Sequence, residues 1–202
     1  MIKRTMDIFI SGAGLLVLSP VIIFLAAAIK MTSRGPVFYR GIRVGRNGIP
    51  FRMLKFRSMV PDAEKLGGSS TPDDDSRIIG IGKFMRRYKL DELPQLFNVL
   101  AGDMSLVGPR PQVKDDVDKY TDEERAILTV RPGITDWASI RFSNEGEILK
   151  GEPDPDEAYT RLIRPEKLRL CLEYVRRQSI AVDIKILWMT LRRLAGGKAG
   201  TG

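Results

Sequence analysis

Asp91 and Glu92 are adjacent carboxylates at the start of a predicted helix, and Arg86, Arg87 and Lys89 lie just before them. Nearby cations keep a carboxylate ionised, and a helix start favours an anion. An ionised carboxylate can attack an electrophile, coordinate Mg²⁺ or accept a proton. The same pair also fits a capping Asp followed by a first-turn Glu. Gly108-Pro109-Arg110-Pro111 and Arg131-Pro132-Gly133 each set an arginine beside prolines. Proline restricts the backbone, and arginine can clamp a phosphate through two N–H groups. Lys55 and Arg57 stand two apart at the end of a predicted strand, which places them on one side. Salt bridges to the acidic stretch 112–124 are the alternative for any of these bases.

The composition narrows the chemistry. The chain has 202 residues, 33 Lys+Arg against 25 Asp+Glu, no His and one Cys, Cys171. That is enough for one domain with a modest core. At 43% hydrophobic and 29% charged, it reads as neither disordered nor collagen-like. Without His there is no Ser–His or Cys–His catalysis and no His-ligated zinc. A single Cys excludes an internal disulfide and fits a reducing compartment. Carboxylates, Lys/Arg, hydroxyls, Cys171 or a bound ion must do any chemistry.

The net charge of +8 is unevenly placed: residues 1–60 hold ten Lys/Arg and one acid, Asp7. That end could meet nucleic acid, anionic lipid or a phosphorylated substrate. Residues 8–29 carry no charge, a run of 22 residues. As a straight helix this would be roughly 33 Å, enough to cross the hydrocarbon. Ser19-Pro20 interrupts it near the middle, where proline predicts a bend and Ser19 can bond a freed carbonyl. Each half would be roughly 15 Å, too short to span alone. Lys3 and Arg4 precede the run and Lys30 and Arg34 follow it, so the positive-inside tendency places both flanks in the cytoplasm. A helix–break–helix dipping into one leaflet and a crossing helix with a proline kink both fit.

Residues 36–59 read as a β-hairpin around Arg46-Asn47-Gly48, and 61–76 as an exposed loop in which Asp73-Asp74-Asp75 is solvated. Helical patterns cover 77–88, 91–101 (Asp91 as N-cap, Gly102 as stop), 120–128 and 156–177, with Pro165 starting or kinking the last. Residues 183–194 fit either an interfacial or a core-facing helix.

Several stretches resemble the monotopic phosphoglycosyl transferases of bacterial glycoconjugate assembly. They are Lys3-Arg4-Thr5-Met6-Asp7, Ser19-Pro20, Lys55-Phe56-Arg57-Ser58-Met59, LDELPQLFNVLAGDM at 90–104, SLVGPRP at 105–111 and RPGITDWA at 131–138. The resemblance spans residues 2–194 and is to the family's minimal catalytic form. In that family an aspartate displaces UMP from a UDP-sugar, forming a covalent phosphosugar intermediate that a polyprenol phosphate then attacks. Mg²⁺ is required. The resemblance implies Asp91 as nucleophile and metal ligand, with Glu92 as its partner. It makes Ser19-Pro20 the break of a re-entrant helix, with Lys3, Arg4 and Asp7 as part of the anchor. Phosphate contacts are assigned to Lys55, Arg57, Arg110 and Arg131.

The implied fold is mostly α with a small β-hairpin, monotopic, with a re-entrant unit at 1–33, a catalytic unit at 34–194, interfacial amphipathic helices and a flexible tail at 195–202. The implied place is the cytoplasmic face of a bacterial inner membrane. The partners are a UDP-sugar, polyprenyl phosphate and lipid, with no nucleic acid and a homodimer left open. Two departures stand out. Asp136 occupies a frequent Gly position, and Ser143 stands where many relatives carry a phosphate-binding arginine. Arg141, two residues earlier, is assigned that role. A basic membrane-anchored protein binding anionic lipid or nucleic acid without catalysis is the alternative.

Overall fold

The computed structural model describes residues 1–63, 66 and 71–196. Helix α1 (Ile2–Thr32) is 31 residues long, and helical structure continues through Pro20. Proline cannot donate to the carbonyl of Leu16, but Ser19 Oγ does so at 2.8 Å, refilling the freed acceptor. The expected helix–break–helix is corrected to this extent: no non-helical residue separates the two halves.

α1 buries only a thin stripe, including Asp7, Ser11, Leu25 and Ile29. Phe9, Leu16, Val17, Ile23 and Phe24 remain exposed. Both ends are tied to the same body. Lys3 Nζ donates to Val107 O at 3.0 Å and pairs with Asp183 at 2.7 Å. Arg4 donates to the carbonyls of Val99 and Leu100. Asp7 accepts from Ser105 Oγ and from the Leu106 N–H. Lys3, Arg4 and Asp7, assigned to the anchor, bind protein groups. At the other end, Leu25 and Ile29 pack on Phe56 and Met85.

Strands β1 (Phe38–Val44) and β2 (Pro50–Phe56) pair antiparallel from Phe38↔Phe56 to Val44↔Pro50. Asn47 (φ 57°) and Gly48 (φ 77°) supply the left-handed backbone this tight turn needs. Helix α2 (Gly80–Arg87) is shorter than the 77–88 expected. Helix α3 (Gln95–Ala101) ends on Gly102 at φ 97°, the αL stop predicted for it. Asn98 fastens α3 to the hairpin: its Oδ1 accepts from Leu54 N and its Nδ2 donates to Arg52 O, both at 2.8 Å.

Strand β3 (Ser105–Val107) runs parallel to β4 (Gly133–Thr135), a pairing the sequence does not predict. Short helix α4 (Lys114–Val117) lies between them. The expected helix at 120–128 is mainly a 3₁₀ turn, Glu124–Thr129. Then follow α5 (Trp137–Arg141), α6 (Glu145–Ile148), α7 (Pro155–Leu162), α8 (Arg164–Arg177) and α9 (Ile180–Ala195). Pro165 starts α8 because the first turn has no use for its missing N–H.

One core cluster joins Met53, Val99, Met104, Val107, Tyr174 and Ile186. At its edge the buried Asp183 is satisfied by Lys3 and by Tyr174 OH at 2.8 Å. Removing Lys3 would leave the buried Asp183 charge with only the Tyr174 hydroxyl for company. α9 buries Asp183 and Ile186 while Ile184, Trp188, Leu191 and Leu194 are exposed, so one narrow stripe faces the core and a broad apolar face does not. In the loop, Asp75 is not solvated: it pairs with Arg77 at 2.6 Å. The expected tail lies outside the described residues beyond Gly196.

Candidate active site

Asp91 sits in a 3₁₀ turn (Leu90–Glu92) between α2 and α3, four residues before α3 begins. It is not the N-cap expected of it. The turn is entered through Lys89 at φ 56°, ψ 21°, a left-handed conformation that costs a non-glycine residue about 1–2 kcal/mol. That reversal carries Asp91 inward, where it is 6% exposed. Among the described residues, no hydrogen-bond partner reaches its Oδ1. Burial pushes its pKa above 3.8; Lys55 opposes this, the Glu92 charge adds to it, and Arg86 and Lys89 pull it down. Arg87 instead lies over the Tyr88 ring.

Glu92 has the opposite surroundings. Its Oε1 accepts from Lys55 Nζ at 3.1 Å. Arg110 grips both of its oxygens, Nη2 on Oε1 and Nη1 on Oε2. Burial alone would raise its pKa, but the charges of Arg110 and Lys55 and the Arg110 hydrogen bonds outweigh this and hold it well below 4.5. The adjacent carboxylates are thus divided: one is clamped and ionised, the other buried with an oxygen to spare. Burial lowers the Lys55 pKa from 10.5, opposed by Glu92.

Three pieces of backbone create this geometry. β2 brings Lys55, and Asn98 locks β2 against the helix that follows Glu92. Arg110 projects from the chain just after β3. There β3 and β4 approach so closely that a Cβ on Gly133 would lie 2.1 Å from Gly108 N, and one on Gly108 would lie 2.5 Å from Arg131 O. Only glycine permits this approach. Gly108 N donates to Thr135 O and Gly133 N to Pro109 O, so the Pro109-Arg110-Pro111 turn is rigid on both sides.

Residues 1–197 match the family model described as bacterial sugar transferase. The chain belongs to the bacterial sugar transferase family. It is similar to the undecaprenyl-phosphate glucose phosphotransferase of Komagataeibacter xylinus, 41% identical over 198 residues that cover 95% of this chain and 35% of that relative. It is similar to the UDP-glucose:undecaprenyl-phosphate glucose-1-phosphate transferase of Escherichia coli (strain K12), 38% identical over 95% of this chain and 39% of that relative. The sugar transferase EpsL of Bacillus subtilis (strain 168), named as uncharacterized, is 34% identical over 96% of this chain and 87% of its own length. The chain therefore spans only 35% and 39% of the first two relatives' length.

Of the basic residues expected at phosphates, the structure gathers Lys55 and Arg110 with Glu92 and directs the others elsewhere. Arg57 is 5% exposed and donates to the Ser33 and Arg34 carbonyls at the end of α1. Arg131 Nε donates to Gly102 O at 2.9 Å, stoppering α3. Arg141 is exposed and stands over the Phe142 ring. The two departures from the family pattern have structural roles. Asp136 caps α5 through Ser139 N at 2.7 Å and accepts from Cys171 Sγ. Ser143 accepts from Arg193 Nε at 3.0 Å. Sequence reasoning missed Asn98 and the buried Lys167, which pairs with Glu145 at 3.0 Å. The spacing Asp91, Gln95, Asn98 within one helical stripe is the signal that would have drawn attention to Asn98.

Proposed function

We propose that this bacterial sugar transferase moves a sugar-1-phosphate from a UDP-sugar to polyprenyl phosphate. The observation that carries the reading is the division of the two carboxylates: Glu92 is neutralised by Lys55 and Arg110, while Asp91 keeps a buried oxygen without a partner. In the first step Asp91 Oδ1 bonds to the sugar-bearing phosphorus. The bond from that phosphorus to the bridging oxygen breaks, and UMP leaves with the bridging oxygen and its electron pair. In the second, a phosphate oxygen of the polyprenol attacks the same phosphorus and frees Asp91, giving polyprenyl-diphosphosugar. A covalent intermediate lets one site serve a soluble donor and then a lipid acceptor. Lys55 and Arg110 supply positive charge beside the diphosphate. Mg²⁺ would be held by the Asp91 carboxylate, a hard oxygen donor, through the oxygen that does not attack phosphorus. The remaining ligands would come from the diphosphate and water. Bound there, it supplies charge neutralisation at the diphosphate. A panel of UDP-sugars with Mg²⁺ and undecaprenyl phosphate should release UMP for at least one donor; release from none contradicts the reading.

Support for the membrane arrangement comes from α1. Its exposed middle is apolar, yet Lys3 at one end and Ser33 at the other bond the same body, which supports an anchor that enters and leaves one face. Exposed Trp188 and Leu191 on α9 suit the same interface. Cys171, 5% exposed, gives a quiet background for labelling. Ile2→Cys should react from the cytoplasmic side only; labelling solely from the periplasm contradicts the re-entrant reading.

The site also sets a pH response. The reaction needs Asp91 ionised and Lys55 charged. Since burial raises the first and lowers the second, kcat/KM for UMP release should fall on an acid limb above 3.8 and on an alkaline limb below 10.5. Limbs at those ordinary values would show that neither group is buried during binding.

A further inference from the structure

The buried face that carries Asp91 continues past it. Asp91, Pro94, Gln95, Asn98 and Val99 are all buried, at the i, i+3, i+4, i+7, i+8 spacing of one helical stripe. The backbone between Asp91 and Gln95 is right-handed helical, with Leu93 at φ −52°, ψ −37° and Pro94 at φ −62°, ψ −16°. Gln95 is fully buried. Among the described residues, neither its Oε1 nor its Nε2 has a hydrogen-bond partner. Asn98, one turn on, has a full set: Leu54 N, Arg52 O and Asp103 Oδ2. Asp91 Oδ1, one turn before Gln95, is likewise buried without a partner.

An unpartnered hydroxyl lies on α1, which packs against α3. Ser11 Oγ is buried without a partner, on the stripe of α1 that runs from Asp7 to Gly14. A Cβ on Gly14 would meet Leu96 at 3.5 Å, so this stripe passes the start of α3. A buried carboxamide with nothing to bond is destabilising, and Met or Leu would fill the volume without that cost. Its polarity therefore points to a ligand.

We propose that Gln95 is a further substrate-contacting residue of the Asp91 site, its Nε2 donating to a non-bridging oxygen of the phosphoryl group that Asp91 attacks. This rests on the transferase reading above. A carboxamide suits the position for a physical reason. A lysine or arginine there would pair with Asp91 and quench the nucleophile. A neutral N–H donor forms no ion pair with Asp91, yet meets the charge that spreads over the phosphoryl oxygens in the transition state.

Gln95→Met tests this, because it removes both polar atoms at nearly constant volume. The expected result is an unchanged or higher melting temperature in detergent, with UMP release reduced about 10²-fold, mainly in kcat. A purely structural role would instead lower the melting temperature and leave the folded fraction active. Gln95→Glu supplies a second readout. Protonated, it keeps a donor; ionised, it repels the phosphoryl group. Its rate relative to wild type should therefore rise as pH falls, whereas the relative rate of Gln95→Met stays flat. Turnover by Gln95→Met within about twofold of wild type, or a flat relative rate for Gln95→Glu, overturns the assignment. If the wild-type enzyme releases no UMP from any donor, the transferase reading itself fails, which is a different result from a silent Gln95.

Discussion

Asp91→Asn is expected to lower UMP release by at least about 10³-fold and leave the melting temperature unchanged or higher. The substitution keeps the shape of the side chain. It breaks no hydrogen bond at Oδ1, because that atom has none among the described residues. It also removes a charge that burial disfavours, so folding loses nothing. What disappears is the proposed nucleophile, since an amide oxygen is a poor one and its O-phosphoryl imidate adduct is unstable. Rate and melting temperature move in different directions only for a residue kept for chemistry. A variant that melts early and is inactive for that reason would instead place Asp91 among the structural acids, beside Asp7 and Asp183.

Arg110→Met is expected to affect both properties. Arg110 binds both oxygens of Glu92, and its side chain is 27% exposed while that of Glu92 is 12% exposed. Removing it strands Glu92 with Lys55 alone. Loss of one partner of a buried pair costs about 3–5 kcal/mol, and the exposed part of Arg110 places this case toward the lower end. The pH dependence has a definite sign. Glu92 has its pKa lowered in the folded state, so its stabilisation is present above the unfolded value and is lost as pH falls through the folded one. Wild type and Arg110→Met should therefore differ most near neutrality and converge in acid. Adding Glu92→Gln should restore part of the stability, because no stranded charge remains, but not the UMP release. Arg110→Lys keeps a charge without the two-pronged grip and should fall between. Chemical denaturation across pH, with turnover alongside, checks the series; full recovery of activity in the double variant would show that Arg110 serves only to neutralise Glu92.

How much of this was legible in the sequence depended on the range of the interactions. The hairpin was, because Asn47 and Gly48 carry their turn conformation locally. So were the end of α3 at Gly102 and the start of α8 at Pro165. The Asp91–Glu92 pair stood out through its neighbours, but the division of roles did not, because the groups that clamp Glu92 come from residue 55 and residue 110. The β3–β4 ladder escaped because three-residue strands are too short to show alternation. That omission also hid why Arg110 is held so firmly. Arg57 was expected beside Lys55 by strand alternation, but β2 ends at Phe56, and past that point the side chain turns to the α1 terminus. Arg131 does sit in a rigid proline turn, yet its guanidinium is used on the carbonyl of Gly102. Proline context reports stiffness, not what the arginine touches. The long apolar run was plain, whereas the pinning of both its ends to one body required Val107, Asp183 and Arg57 to be placed in space.

The most direct test is the intact mass of the enzyme after incubation with a turned-over UDP-sugar and Mg²⁺, with no polyprenyl phosphate present. The expected result is a gain equal to one sugar-phosphate on Asp91, with one UMP released per active site, and discharge of the adduct when the lipid acceptor is added. UMP that appears only when the acceptor is present, with no mass gain beforehand, would contradict the covalent route, as would an Asp91→Asn protein that gains the same mass.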